Sequence, residues 1–336
     1  MAATGRPTKI ARAPEPASGE GHAVLIGLSA AVVSVSEERP RALIVHRSDA
    51  SDALPFGTFD PLAHRTLESG LRDWVEEQTR LQLGYVEQLY TFGDRGRHLT
   101  EPGEGPRVLS VGYLALTRPQ EGRGPDTQWR DWYGYFPWED WREQKPPIID
   151  ALIVPRLTLF ATSAPSAELR ERRRERARLC FGIGGIAWDE EKVLERYELL
   201  YEAGLVKEAQ RDRQSAPPGG PVPSLGADMV FDHRRILATA MGRLRAKMKY
   251  RPVVFELMPP EFTLLQLQRT VEALSGIRLH KQNFRRLVEA QGLVEGTGRL
   301  SRKAGGRPAE QFRFRREVVR ERPAPGMRLS PSRPSR

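Results

Sequence analysis

At 336 residues and 37.9 kDa, with 39% hydrophobic residues and a mean hydropathy of −0.52, the chain has apolar material for two or three folded domains. Its most apolar stretch, 23–35, is shorter than the ~20 residues of a membrane helix, the first twenty residues hold no apolar leader, and one cysteine excludes a disulfide framework or a cysteine-based zinc finger, so a cytoplasmic protein with no membrane partner is expected. The net charge of +10 is uneven: residues 228–336 carry 24 Lys and Arg against 10 Asp and Glu, leaving 1–227 at −4, which points to a polyanion-binding module joined to a slightly acidic body.

Residues 1–21, rich in Ala, Pro and Gly without periodicity, read as a disordered tail. The runs 23–35 and 41–45, separated by the polar turn 36–40, read as a β-hairpin. A helix is predicted over 65–78, where Leu67, Leu71, Trp74 and Val75 share a face, and strands over 85–92 and 108–116. The segment 129–141 is dense in aromatics; its Trp132, Tyr135 and Trp138 suit core or dimer packing better than stacking on a base. After the apolar run 148–159, strands bracketing helices indicate an α/β or α+β domain. Residues 167–178 alternate in charge and read as an exposed helix, and 189–203 as an amphipathic one. Both belong to a helical connector, 163–214, that is a candidate dimerisation element. The Pro- and Gly-rich 215–227 reads as a linker and marks the domain boundary.

Three helices are predicted beyond it. The first, over 231–249, carries Leu237, Met241, Leu244 and Met248 on one face. Thr263 is the N-cap of the second, which ends at Gly276. The third, over 280–291, follows a four-residue turn and hides Phe284, Leu287 and Val288, and two short β segments come after it, 293–295 and 311–314. This is the order of a winged helix-turn-helix, placed at 228–322 ahead of a disordered basic tail at 323–336. A helix entering the major groove needs an apolar inner face and an outer face of Arg, Lys, Asn or Gln. Lys281, Gln282, Asn283, Arg285 and Arg286 form such a face, and Arg299, Arg302, Lys303 and Arg307 give a basic wing. The expected partner is double-stranded operator DNA.

Pro55-Phe56-Gly57 followed by Arg72-Asp73-Trp74-Val75-Glu76-Glu77 resembles the Nudix box, whose carboxylates hold Mg²⁺ against a diphosphate from one helical face. Two registers fit, and neither is intact. Anchored on Arg72, the box places Asp73, Glu76 and Glu77 as carboxylates but has Thr79 for its glycine and His64 for the earlier glutamate. Anchored on Leu81, it turns the Arg-Glu pair into Asp73-Trp74 and the last glutamate into Gln78; this register is preferred because it keeps the helix exit in step. Catalytic and metal-binding residues are therefore expected to be absent.

The stretch 85–94 (YVEQLYTFGD), residues 108–113, residues 229–237 and Asn283-Phe284-Arg285-Arg286 resemble NrtR-type regulators of NAD metabolism, and the degenerate box, aromatic segment and region 167–211 resemble their alphaproteobacterial NadQ branch. The resemblance implies an α+β architecture: a Nudix-like α/β/α sandwich at 22–162, the helical connector, and a C-terminal winged helix-turn-helix. It also implies a homodimeric repressor of NAD-biosynthesis genes that acts on a palindromic operator, has no catalytic cofactor and reads an adenine nucleotide. The expected effector is ATP for NadQ, and ADP-ribose or NAD for NrtR relatives. Arg47, Phe56 and Arg107 are the candidate nucleotide contacts. The alternative is an active Nudix hydrolase of ADP-ribose or a dinucleotide with a nucleic-acid-binding C-terminal domain.

Overall fold

In the computed structural model, β1 (Val24–Ser36) turns directly into β2 (Arg39–His46) through Glu37 and Glu38, both left-handed with φ of 53° and 59°. Two such residues in a row make the mirror-image turn whose twist matches antiparallel strands, and it lies where the hairpin was predicted. The structure describes residues 24–46, 51–94, 107–120, 124, 126–213, 219–221, 223, 225–301, 308–321 and 325–327. The proposed N-terminal tail therefore falls outside the described residues.

The remaining strands of the sheet are β3 (Asp52–Ala53), β4 (Phe56–Thr58), β5 (Tyr85–Phe92), β6 (Arg107–Leu116) and β7 (Thr127–Asp131). They run in the order β3-β2-β1-β6-β5, with β4 also on β1 and β7 on β2. The β1–β6 pair is parallel and its register is unbroken over ten residues, from Val24 opposite Arg107 to Val33 opposite Leu116. Side chains alternate across this mixed sheet as the two-residue period requires. Leu28, Ala30, Val32, Val111, Tyr113 and Ala115 pack on one side against Leu71 and Val75 of α1 (Leu67–Thr79). Ala31, Val33, Leu114 and Leu116 join the larger core on the other side.

That larger core contains α6 (His233–Met248), which packs on β1, β5 and β6. A Cβ on Gly112 of β6 would lie 3.0 Å from Ile236, so the bare glycine is what allows so close an approach. The predicted helix 231–249 exists, but its assignment to the DNA-binding half is corrected here. It is the second helical layer of the sandwich, because Ile236, Ala238 and Ala240 are fully buried alongside Leu237, Met241 and Leu244. The boundary at 215–227 is corrected with it. Leu225 is buried, and Ala227 N–H donates to the Gly134 carbonyl at 2.9 Å, so the end of this stretch, 225–227, is packed onto the aromatic segment.

Between β7 and α6 the chain builds a helical block. The apolar run 148–159 is helical, with one π-turn over Ile149–Ile153 leading into α2 (Val154–Thr162). It continues as α3 (Ala167–Phe181), α4 (Val193–Glu202) and α5 (Lys207–Arg213). Trp132, Tyr135 and Trp138 are at most 1% exposed, which makes them core residues and excludes them as stacking platforms.

Past α6, a 3₁₀ turn over Val253–Glu256 precedes α7 (Leu264–Ser275), α8 (Lys281–Ala290) and the two-stranded sheet of β8 (Val294–Ser301) and β9 (Ala309–Phe314), followed by α9 (Val318–Glu321). Phe262 and Phe312 exchange backbone hydrogen bonds of 2.9 and 2.8 Å, tying the entry of α7 to the wing. The tail predicted at 323–336 is corrected over 325–327. There Met327 is fully buried and its N–H donates to the Met248 carbonyl at 2.8 Å.

Candidate nucleic-acid interface and effector region

α7 carries a full capping box: the Thr263 hydroxyl accepts from Gln266 N–H while Gln266 Oε1 accepts from Thr263 N–H. It stops at Gly276, whose φ of 75° is the left-handed exit that favours glycine. A Cβ on Gly276 would lie 2.4 Å from the Glu139 carbonyl oxygen, so this turn admits no side chain.

The turn between α7 and α8 is organised by Glu272, 2% exposed. Its Oε1 accepts from Leu279 N–H at 3.0 Å and from Gln268 at 2.9 Å, and its Oε2 accepts from Arg269 at 3.1 Å and Arg278 at 2.9 Å. Burial alone would push the carboxyl up. The hydrogen bonds from Gln268, Leu279 N–H and Arg278, with the charge on Arg278, outweigh it and hold the group below its ordinary value. Glu272 therefore stays ionised at neutral pH, as an acceptor of four donors must.

α8 presents what the sequence predicted. Phe284 and Val288 are buried and Leu287 half-buried, while Lys281, Gln282, Asn283, Arg285 and Arg286 are exposed. Arg286 donates to Asn283 Oδ1 at 2.6 Å, which pre-orients both side chains on the outer face. Arg299 is exposed on β8 and reaches back to Glu261 at 3.1 Å, so this wing cation has an internal carboxylate partner. Arg302, Lys303 and Arg307 lie outside the described residues.

The sandwich half is less convergent. Phe56 is half-buried, edge-on to Phe231 (5.7 Å between centroids) and His233 (5.0 Å). Arg107 is exposed and donates to the Gly93 carbonyl at 2.9 Å. Phe56 stands opposite Ser29 and Arg107 opposite Val24, roughly 17 Å apart along β1 at about 3.3 Å per residue, so the structure does not gather them into one pocket. Arg47 lies outside the described residues. A denser cluster, which the sequence reading missed, surrounds buried Asp52. It accepts from the Tyr135 hydroxyl at 2.6 Å, pairs with His46 Nδ1 at 3.2 Å and approaches Arg130 Nε at 3.6 Å. Burial, and then the Asp52 carboxylate itself, raise the Tyr135 pKa and keep that phenol a donor.

On α1 the helix exit falls at Arg80, left-handed with φ 60°, the position that the Leu81-anchored box gives to glycine. Gln78, at the last carboxylate position of that register, clamps the β4 backbone from both ends. Phe56 N–H donates to its Oε1 at 3.2 Å, and its Nε2 donates to the Phe56 carbonyl at 2.6 Å. Asp73, Glu76 and Glu77 are exposed, and Glu76 accepts from Gln82. Among the described residues no three His, Cys, Asp or Glu side chains are grouped to hold a metal ion. A diphosphate-bound Mg²⁺ does not fit an amide already committed to main-chain hydrogen bonds.

A second set of residues that the sequence reading missed joins the aromatic segment to α4 and α6. Glu139 is fully buried and accepts from Arg196 of α4 at 2.5 and 2.8 Å and from Arg245 of α6 at 2.7 Å. A glutamate embedded in a run of tryptophans and tyrosines was the available signal, since a carboxylate in such company must find cations.

A mixed-sheet sandwich carrying a winged helix defines a two-part class: a Nudix-like fold joined to a DNA-binding fold. Residues 254–314 match the family described as the NrtR DNA-binding winged helix domain. Over 91 residues the chain is 43% identical to the ADPR responsive transcriptional repressor NtrR of Acinetobacter baylyi, a match spanning 27% of this chain and 36% of that relative's length. In fold it is similar to Shewanella oneidensis NrtR complexed with a 27mer DNA (TM-score 0.51, 20% identity, 88% of this chain and 95% of the other). It is also similar to a MutT/nudix family protein from Enterococcus faecalis (TM-score 0.50, 14% identity, 88% of each chain). Winged-helix sequence and two-part fold thus agree on likeness to NrtR-type regulators. No described helix is long and apolar enough to cross a membrane.

Proposed function

We propose that this chain is a ligand-responsive transcriptional repressor. It binds a palindromic operator as a homodimer in the cytoplasm, controls genes of NAD biosynthesis, and takes an adenine nucleotide, ATP or ADP-ribose, as effector in a sandwich that no longer hydrolyses it. One observation carries the reading. Inside a segment matching the NrtR winged helix, α8 buries Phe284 and Val288 while exposing Lys281, Gln282, Asn283, Arg285 and Arg286. Such a face supplies donors to guanine and acceptor–donor pairs to adenine in the major groove. A two-fold dimer would set two such helices about one DNA turn apart, which is why the operator is expected to be palindromic. ADP-ribose enters because the Acinetobacter relative is named for its response to it. The sensing role is supported by Gln78 and Arg80, which occupy the box positions of a carboxylate and a glycine.

The test pairs DNA and nucleotide. Arg285→Ala and Arg286→Ala are each expected to cost about 1–3 kcal/mol of operator affinity in a gel shift, with loss of discrimination at the contacted base. Operator binding unchanged by both substitutions would remove α8 from the interface. A thermal-shift screen of ATP, ADP, ADP-ribose and NAD, followed by operator release with whichever nucleotide stabilises the protein, identifies the effector. Turnover of ADP-ribose with Mg²⁺ above background would instead favour the hydrolase.

A further inference from the structure

The last carbonyls of a helix have no partner within it and must be satisfied from outside. At the end of α7, the first helix of the helix-turn-helix, those partners come from other parts of the molecule. The Tyr133 hydroxyl donates to the Ala273 carbonyl at 2.7 Å, Arg245 Nε to Leu274 at 2.9 Å, and Trp141 N–H to Gly276 at 2.7 Å. Arg278, just past the turn, donates to the Arg142 carbonyl at 3.1 Å. Burial pushes the Tyr133 phenol up to about 12, so it remains a donor throughout the neutral range. Two positions along, Tyr135 holds Asp52 of β3. The same short segment therefore touches the part of the sandwich that leads to Phe56 and the turn that aims α8.

We propose that residues 133–142 are the joint that positions the helix-turn-helix on the sandwich, and that Tyr133 is a positioning residue through which effector occupancy reaches the DNA-binding helix. The second half of this inference rests on the effector reading above; the first does not. Coupling between sites needs a physical element that both can bias. Here the element is the grip of Tyr133, Trp141 and Arg245 on the end of α7. A nucleotide that moves the β3–β4 segment from Asp52 to Phe56 shifts Tyr135, and with it the segment bearing Tyr133. It acts only to the extent that it favours one placement of the segment over another.

Tyr133→Phe keeps the ring and its packing and deletes the hydrogen bond to α7 along with the longer one accepted from Arg245 at 3.4 Å, whose other donors keep their partners, so the variant folds where a change at Glu139 risks failure. Amide hydrogen exchange is expected to rise roughly five- to tenfold over 273–280, the worth of one such bond, while β1, β6 and α1 keep wild-type exchange. In the same variant the ratio of operator affinities without and with nucleotide is expected to fall toward one, at unchanged nucleotide affinity. A merely structural tyrosine would not move that ratio. Tyr135→Phe, acting on the sandwich side of the joint, is expected to lower the ratio without raising exchange at 273–280. Wild-type exchange over 273–280 in Tyr133→Phe overturns the joint, and a wild-type ratio overturns its part in signalling. If no nucleotide alters operator binding in the wild-type protein, the effector reading fails, and the exchange result alone decides the joint.

Discussion

Replacing Glu139 by glutamine is expected to destabilise the protein by about 3–5 kcal/mol, a large share of the ~5–15 kcal/mol that ordinarily separates a folded domain from its unfolded chain. The residue is 0% exposed, as is Arg196, and Arg245 is 1% exposed. Its two oxygens accept three guanidinium hydrogen bonds of 2.5–2.8 Å. Other donors of the two arginines go to the carbonyls of Cys180, Asp189, Glu190 and Leu274, and Arg245 Nη2 reaches the Tyr133 hydroxyl at 3.4 Å. With the carboxylate removed, two cations stay in the core facing a neutral amide whose NH₂ is itself a donor. Removing one member of a buried ionic set is costly because the others remain desolvated. Replacing all three with methionine is expected to cost far less. Denaturant titration checks both: the midpoint should fall sharply for Glu139→Gln with an unchanged slope, and recover much of the way in the triple variant. A glutamine variant within about 1 kcal/mol of wild type would mean that Glu139 is not the anion neutralising this core.

The same residues explain where the sequence was readable and where it misled. The strand pattern of 23–35 was legible because side chains alternate strictly between two cores, Leu28, Ala30 and Val32 on one side and Ala31, Val33 and Val35 on the other. α8 was legible because polar and apolar residues separate cleanly along a single turn period. The placement of α6 was not. Its arginines inflated the charge of the C-terminal third, yet Arg245 pairs with Glu139, 106 positions away, and Arg234 with Glu208, 26 positions away, both inside the core. A count of charges along a chain weighs a buried pair and a solvent-facing cation alike. The Pro- and Gly-rich 215–227 misled for a related reason. Composition reports backbone freedom, whereas Leu225 and Ala227 are held by contacts with an aromatic segment some ninety residues earlier. The candidate nucleotide contacts were the least legible, since a pocket depends on loops brought together from distant parts of the chain.

Phe284→Ala is the second substitution with a large expected effect, about 3–5 kcal/mol. α8 has ten residues, and its N-cap, His280, makes no side-chain capping hydrogen bond. A helix of that length is marginal in water without tertiary packing. Its packing is supplied by Phe284 at 3% exposure and Val288 at 0%, with Leu287 half-covered. Truncating the phenyl group removes the larger anchor and opens a cavity beneath the helix that carries Arg285 and Arg286. Operator binding should then be lost together with helix stability, whereas Arg285→Ala should lose binding with the melting temperature unchanged. Phe284→Leu, closer in volume, should retain most of both. Circular dichroism melts and gel shifts on the three variants separate the roles, because only a residue beneath the helix can couple its stability to its affinity for DNA. Full operator affinity in Phe284→Ala would show that the exposed face of α8 is presented by something other than this packing.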